Sequence, residues 1–164
     1  MSNRDADFDK KMAKIDREVK AISGRMSDAT PSFTVKVTDP MGWDAIPCCL
    51  FLRLHKHYFP KCDIVVSRVD GGGDGIMGDI FSLMMLAAAN GTGLKIQCDT
   101  DPKTFGLIER SVRQLFKRTD KPSYGDTYKE CSEILEACKG KDPEILIKTL
   151  TMSALRDGRV RIVS

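Results

Sequence analysis

The residues of this chain that could do chemistry gather in one stretch, Asp39-Pro40-Met41-Gly42-Trp43-Asp44-Ala45-Ile46-Pro47-Cys48-Cys49. It sets a carboxylate, an indole and two adjacent thiols where a loop enters a helix. Pro47 suits a first helical turn, where its missing N–H is no loss, and Gly42 frees the loop backbone. Free backbone N–H groups at a helix N-terminus attract anions. Asp44 as a phosphoryl acceptor would need Mg2+ and a lysine to neutralise an acyl phosphate, and the loop supplies neither a lysine nor a metal-ligand set. The plainer reading makes Asp44 the N-terminal cap of the helix. Cys48 or Cys49 could be a thiol activated by the helix dipole, or a small core residue. A second loop, Asp70-Gly71-Gly72-Gly73-Asp74-Gly75, is Gly-rich but lacks the Gly-Lys-Ser or Gly-Lys-Thr of a nucleotide-binding loop. Together the Asp44 and Gly71 to Gly75 loops define an alternative reading, an anion-binding or enzymatic module.

Gly42-Trp43-Asp44-Ala45-Ile46-Pro47-Cys48 resembles the Gly-Leu-His-Ala-Arg-Pro-Ala motif of HPr, the histidine phosphocarrier of the bacterial phosphoenolpyruvate-dependent sugar phosphotransferase system. Gly75-Ile76-Met77-Gly78 is similar to the Ser-Ile-Met-Gly of that family's regulatory serine. Leu83-Met84-Met85-Leu86-Ala87-Ala88-Ala89-Asn90-Gly91 is similar to the helix and glycine turn that follow. The resemblance runs over residues 33–116. It implies an α+β open-faced sandwich, an antiparallel sheet with three helices on one face. By the same resemblance Asp44 stands at the phosphorylated histidine and Ile46 at the phosphate-steadying arginine, so no catalytic residue is expected. Counting forward from Pro47 puts Gly75 at the regulatory-serine position, and counting back from Gly91 puts Asp79 there. The family's first two helices dock on other phosphotransferase proteins, a surface that would here comprise Trp43, Asp44, Ile46, Pro47, Phe51 and Ile80. Trp43 is either an exposed anchor of that surface or a core residue.

The histidines do not restore the missing nucleophile. His55 and His57 follow about ten residues later, ~12 to 15 Å along the same helix at ~1.5 Å per residue. Two residues apart, they diverge and cannot grip one metal ion. The six cysteines include no CxxC or Cys-His spacing, so neither a metal nor another cofactor is expected.

At 164 residues with 41% hydrophobic content, the chain can build a real core. Its net charge of +3 is spread along the sequence. The nearest approaches to a basic patch are Arg110, Arg113, Lys117, Arg118 and Lys121, then Arg156, Arg159 and Arg161, and neither argues for nucleic acid. No apolar signal core follows Met1, and the longest apolar run is too short to span a bilayer. A cytoplasmic protein with no membrane contact and reduced thiols is expected.

Positioning elements follow from periodicity. In residues 5–25, Phe8, Met12, Ile15, Val19, Ile22 and Met26 recur at 4, 3, 4, 3, 4, a heptad seam that must bury against something. It predicts a coiled-coil homodimer through Phe8, Met12, Ile15, Val19 and Ile22, or a strap across the chain's own sheet or helices, and the dimer is preferred. Strands are expected over residues 33–37, 63–69 and 92–98. Helices are expected over residues 48–58, 76–89 and, opened by Asp101-Pro102, along Phe105, Ile108, Val112, Leu115 and Phe116. The Gly-rich loop is expected to replace or truncate a third strand. Beyond residue 118, Tyr124, Tyr128, Cys131, Leu135 and Cys138 mark one helical face, Asp142-Pro143 caps another helix, and Arg159-Val160-Arg161-Ile162-Val163 alternates like an edge strand.

The organisation predicted is an N-terminal helix and linker (1–31), an HPr-like domain (32–118) and a small C-terminal helical extension (119–164). The function predicted is a non-enzymatic regulatory or protein-binding partner of the phosphotransferase type. A scaffold assembled by the N-terminal helix is the other alternative.

Overall fold

Alternation of apolar and polar residues decides which face of the sheet is which. In the computed structural model, which describes residues 3–39, 42–118 and 124–156, the strands are β1 (Ser32–Lys36), β2 (Asp63–Arg68), β3 (Asp74–Ile76) and β4 (Gly93–Asp99). They form one antiparallel sheet in the order β1-β4-β2-β3. The register sets Phe33 opposite Ile96, Val35 opposite Leu94, Ile64 opposite Cys98 and Val66 opposite Ile96. All these side chains are buried in the main core, so a slip of one residue would turn every one of them to the other face.

That face is covered by α2 (Ala45–Tyr58), α3 (Ile80–Met84) and α4 (Pro102–Arg118). From these helices Leu50, Phe51 and Leu54, then Leu83, then Ile108, Val112, Leu115 and Phe116 enter the same core. The α+β sandwich with three helices on one face is thus the arrangement found. Asp101 starts α4 by accepting from the Thr104 N–H at 2.9 Å and from its hydroxyl at 2.7 Å. Two further helices, α5 (Tyr124–Ala137) and α6 (Pro143–Arg156), pack on α2 and α4. Cys131, Leu135, Cys138, Leu146 and Leu150 continue the main core rather than forming a separate one. The side chains of Tyr124 and Tyr128, and the strand expected over residues 159–163, lie outside the described residues.

On the opposite face, Val65 and Ile76 pair across β2 and β3 and are covered by the N-terminal helix α1 (Asn3–Ser23). Ile15, Val19, Ile22 and the following Met26 pack on them. For these positions the heptad seam is satisfied within the chain, as a strap, because the sheet offers apolar side chains at matching height.

Two expectations are corrected. The helix expected over 76–89 is only five residues long. Ile76 is spent as the last residue of β3, Asp79 caps the start, and Ala87 turns to φ 47°, which stops any further helix. The third strand is present though short. Its hairpin is closed by Arg68, which donates from Nε and Nη2 to the Asp70 carboxylate at 2.9 and 2.6 Å.

The Thr104 backbone N–H, then its hydroxyl, hold the Asp101 carboxyl below the usual carboxylate range. A carboxyl depressed in the folded state contributes stability that is present above its unfolded pKa and lost as pH falls through the folded one. Hydrogen exchange of α4 amides should therefore speed up as pH drops below about 4. Asp101→Asn, which keeps an acceptor but cannot titrate, should flatten that acid limb.

Candidate functional site

Gly42 adopts φ +78°, and a Cβ there would lie 2.9 Å from the Ala88 carbonyl oxygen. Only glycine permits this approach. It lets the Trp43 N–H donate to the same carbonyl at 2.7 Å. The indole Nε1–H then donates to the Leu83 carbonyl at 2.9 Å, while the ring stacks on Phe116 at 5.9 Å between centroids and tilts against Phe51 at 5.1 Å. Trp43 is therefore core, 6% exposed.

Asp44 comes next and caps α2. Its backbone is extended, and its Oδ1 accepts from the Ile46 N–H at 3.1 Å. Pro47 has no N–H to offer, and the Cys48 N–H donates to the Asp44 carbonyl at 3.3 Å. The positive pole of α2 is thus answered by a carboxylate of the chain itself. Ile46 turns outward, 42% exposed.

The expected interface set divides accordingly. Trp43, Pro47 and Phe51 are buried and cannot present a docking surface, and Ile80 is partly buried against the core. Asp44 and Ile46 remain at the surface. Both loops of the anion-binding alternative carry a carboxylate at their backbone donors. The Asp70 Oδ1 accepts from the Gly72 N–H at 3.0 Å, as Asp44 does from Ile46.

Of the two regulatory-serine positions, Gly75 lies buried in β3, where a Cβ would fall 2.8 Å from the Ser82 carbonyl oxygen. A serine has no room there. Asp79 instead begins α3, its Oδ1 accepting from the Ser82 N–H at 2.9 Å. Ser82 is a residue that sequence reasoning missed. Its buried hydroxyl accepts from the Ile76 N–H at 3.0 Å and donates to the Asp79 carbonyl at 2.9 Å, tying β3 to α3. The signal was available, since Asp-x-x-Ser is the spacing of a cap and its third helical residue.

The remaining candidates are engaged elsewhere. His55 Nε2 sits 2.9 Å from the Cys62 carbonyl, and His57 lies 3.5 Å from Glu136 on α5. Tyr58 donates to the Leu135 carbonyl at 2.9 Å, and Arg53 donates to the Ser132 hydroxyl, so α5 lies along α2. Burial, with the Asp44 charge adding to it, pushes the Cys48 thiol up to about 12. At neutral pH it stays protonated, as a core residue would, whereas Cys49 is exposed. Among the described residues no cluster of His, Cys, Asp or Glu could hold a metal ion, and no helix is long and apolar enough to cross a membrane.

A four-stranded antiparallel sheet backed by three helices on one face, each capped at its start by an aspartate, defines an α+β open-faced sandwich. Residues 31–104 match the family model described as "PTS HPr component phosphorylation site". Among solved structures, the phosphocarrier protein HPr from Bacillus anthracis str. Ames is 23% identical over 50% of this chain and 93% of its own, with a TM-score of 0.42. HPr-C-His from Thermoanaerobacter tengcongensis is 15% identical over 68% of this chain and 98% of its own, with a TM-score of 0.38. None of the curated proteins matches the chain.

Two substitutions test this geometry. Trp43→Ala should cost about 3–5 kcal/mol in urea unfolding, the range for a large buried aromatic. Gly75→Ser should cost about 1–3 kcal/mol by overpacking against Ser82, instead of creating an acceptor at no cost. A loss below about 1 kcal/mol in the first would place the indole outside the core.

Proposed function

We propose that this protein is a recognition module of the HPr type that does not carry phosphate, working in the cytoplasm with protein partners of the phosphotransferase kind. The single observation that supports this is the seat of Asp44. Its carboxylate caps α2 and accepts from the Ile46 N–H, at the position that the motif resemblance gives to the phosphorylated histidine. Phosphoryl transfer to an imidazole needs that nucleophile, with positive charge beside the incoming oxygens. Here a carboxylate caps the helix start, and Ile46 stands where the resemblance puts the cationic neighbour. An anionic phosphoryl group approaching this pole meets repulsion.

Docking remains open to the same corner of the molecule. Ile46 and Met84 are exposed apolar side chains from α2 and α3, and Ile80 lies partly buried. Apolar groups beside helix starts are suited to a protein surface, and their burial supplies affinity without group transfer.

Incubation with phosphoenolpyruvate, enzyme I and Mg2+, followed by intact-mass spectrometry, should leave the native chain unmodified. A stoichiometric phosphoryl adduct would defeat this reading. The Asp44→His/Ile46→Arg variant should gain an acid-labile adduct under the same conditions. For docking, a partner captured by the native chain should be released by Ile46→Asp, a change at an exposed site that leaves the core intact. Retention of the partner by that variant would move the docking face elsewhere.

A further inference from the structure

The heptad seam of α1 is only half used by the sheet. Ile15, Val19, Ile22 and Met26 are packed on Val65 and Ile76, and the Ser23 hydroxyl donates to Asp74 at 2.7 Å, which fixes that end of the helix. The other end is bare. Phe8 is 57% exposed, although the spacing of the seam sets it on the same stripe. Beside it, Phe81 and Met85 stand one helical turn apart and are 53% and 66% exposed. Between α1 and this side of α3 run two adjoining hollows. One, of about 260 Å3, is edged by Phe8, Met12, Ile15 and Phe81. The other, of about 280 Å3, is edged by Met12, Ile15, Val19 and Met85. An apolar groove with an apolar half-helix on its lip is therefore left open.

Charge selects what fills it. The exposed first turns of α1 carry Asp5, Asp7 and Asp9 against a single Arg4, followed at once by Lys10, Lys11 and Lys14, and Lys11 and Lys14 edge the groove together with Glu18 and Asp79. An acidic block followed by a basic block is self-complementary when two copies run antiparallel. The acidic turns of one helix then lie along the lysines of the other, and the reverse holds at the far end. A two-fold pairing also presents the same patch from both sides, as a closed dimer requires.

We propose that a second copy of this chain occupies the groove. The N-terminal half of α1 pairs with its counterpart about a two-fold axis near Asp9 and Lys10, and the Phe8 ring of each copy enters the hollow beside Phe81 and Met12 of the other. This differs from a coiled coil along the full seam, whose rear half is already buried against β2 and β3. The area suits a weak dimer. Phe8 and Phe81 keep about half of their surface exposed, so the four rings supply roughly 300–550 Å2, and with Met12 and Met85 the contact falls below about 1,200 Å2, in the class of weak, reversible pairings. The pairing does not depend on whether phosphate is carried, since neither Asp44 nor Ile46 takes part.

Sedimentation equilibrium of the full chain tests it, with the emission of the single, buried Trp43 as a check that each variant is folded. A reversible dimer in the micromolar range is expected. Phe8→Asp and Phe81→Asp, both at exposed positions, should each weaken it by about tenfold or more. Lys11→Glu/Lys14→Glu should weaken it too, and adding Asp7→Lys/Asp9→Lys should restore it. A native chain that stays monomeric throughout, a dimer indifferent to both phenylalanine variants, or one indifferent to the lysine reversal would each overturn the proposal.

Discussion

The loop that opens α2 is held by one aromatic side chain. Trp43 donates from its backbone to Ala88 and from its indole to Leu83, and its ring lies against Phe51 and Phe116. One residue thereby joins the segment after β1, the start of α2, the turn after α3 and the end of α4. Both hydrogen bonds end on carbonyls in and just after α3, a helix of five residues that would not stand alone. Inside the core these bonds are shielded from water, and losing either partner would strand a buried polar group. The position of Asp44, the next residue, follows from this anchor.

Electrostatics then repeats one device. Asp44, Asp79, Asp101 and Asp142 each accept a backbone N–H at the start of a helix, at α2, α3, α4 and α6. A carboxylate there satisfies an orphan donor and stabilises the helix dipole. It also fills the place an anion would take.

The parts of this structure legible in the sequence are those fixed by period and cap. Alternation from Phe33 to Val37 and the apolar run Ile64 to Val66 marked two of the strands, and Asp101-Pro102 and Asp142-Pro143 marked helix starts to the residue. The α3 region was misread because Ile76 and Met77, two adjacent apolar residues ahead of Gly78 and Asp79, suit the end of a strand as well as the start of a helix. Only pairing of Ile76 with Val65, a contact distant in sequence, settles the matter. Trp43 was equally ambiguous. An indole beside a helix start anchors an interface or a core alike, and the carbonyls of Leu83 and Ala88 that decide between them lie some forty residues away. The seam of α1 was legible as a stripe, but its occupant was not, since Val65 and Ile76 sit on the outer face of strands whose other side chains fill the main core.

Trp43 is the chain's one tryptophan, so its indole N–H gives a single resonance in a nitrogen–proton correlation spectrum. Hydrogen exchange of that proton tests the anchoring of the Asp44 loop most directly. Donation to the Leu83 carbonyl inside the core predicts an indole proton that exchanges only on global unfolding, at the rate of the most protected amides of β2 and β4. Exchange at the rate of a solvent-exposed indole would contradict the account, leaving the loop unanchored and Trp43 at the surface.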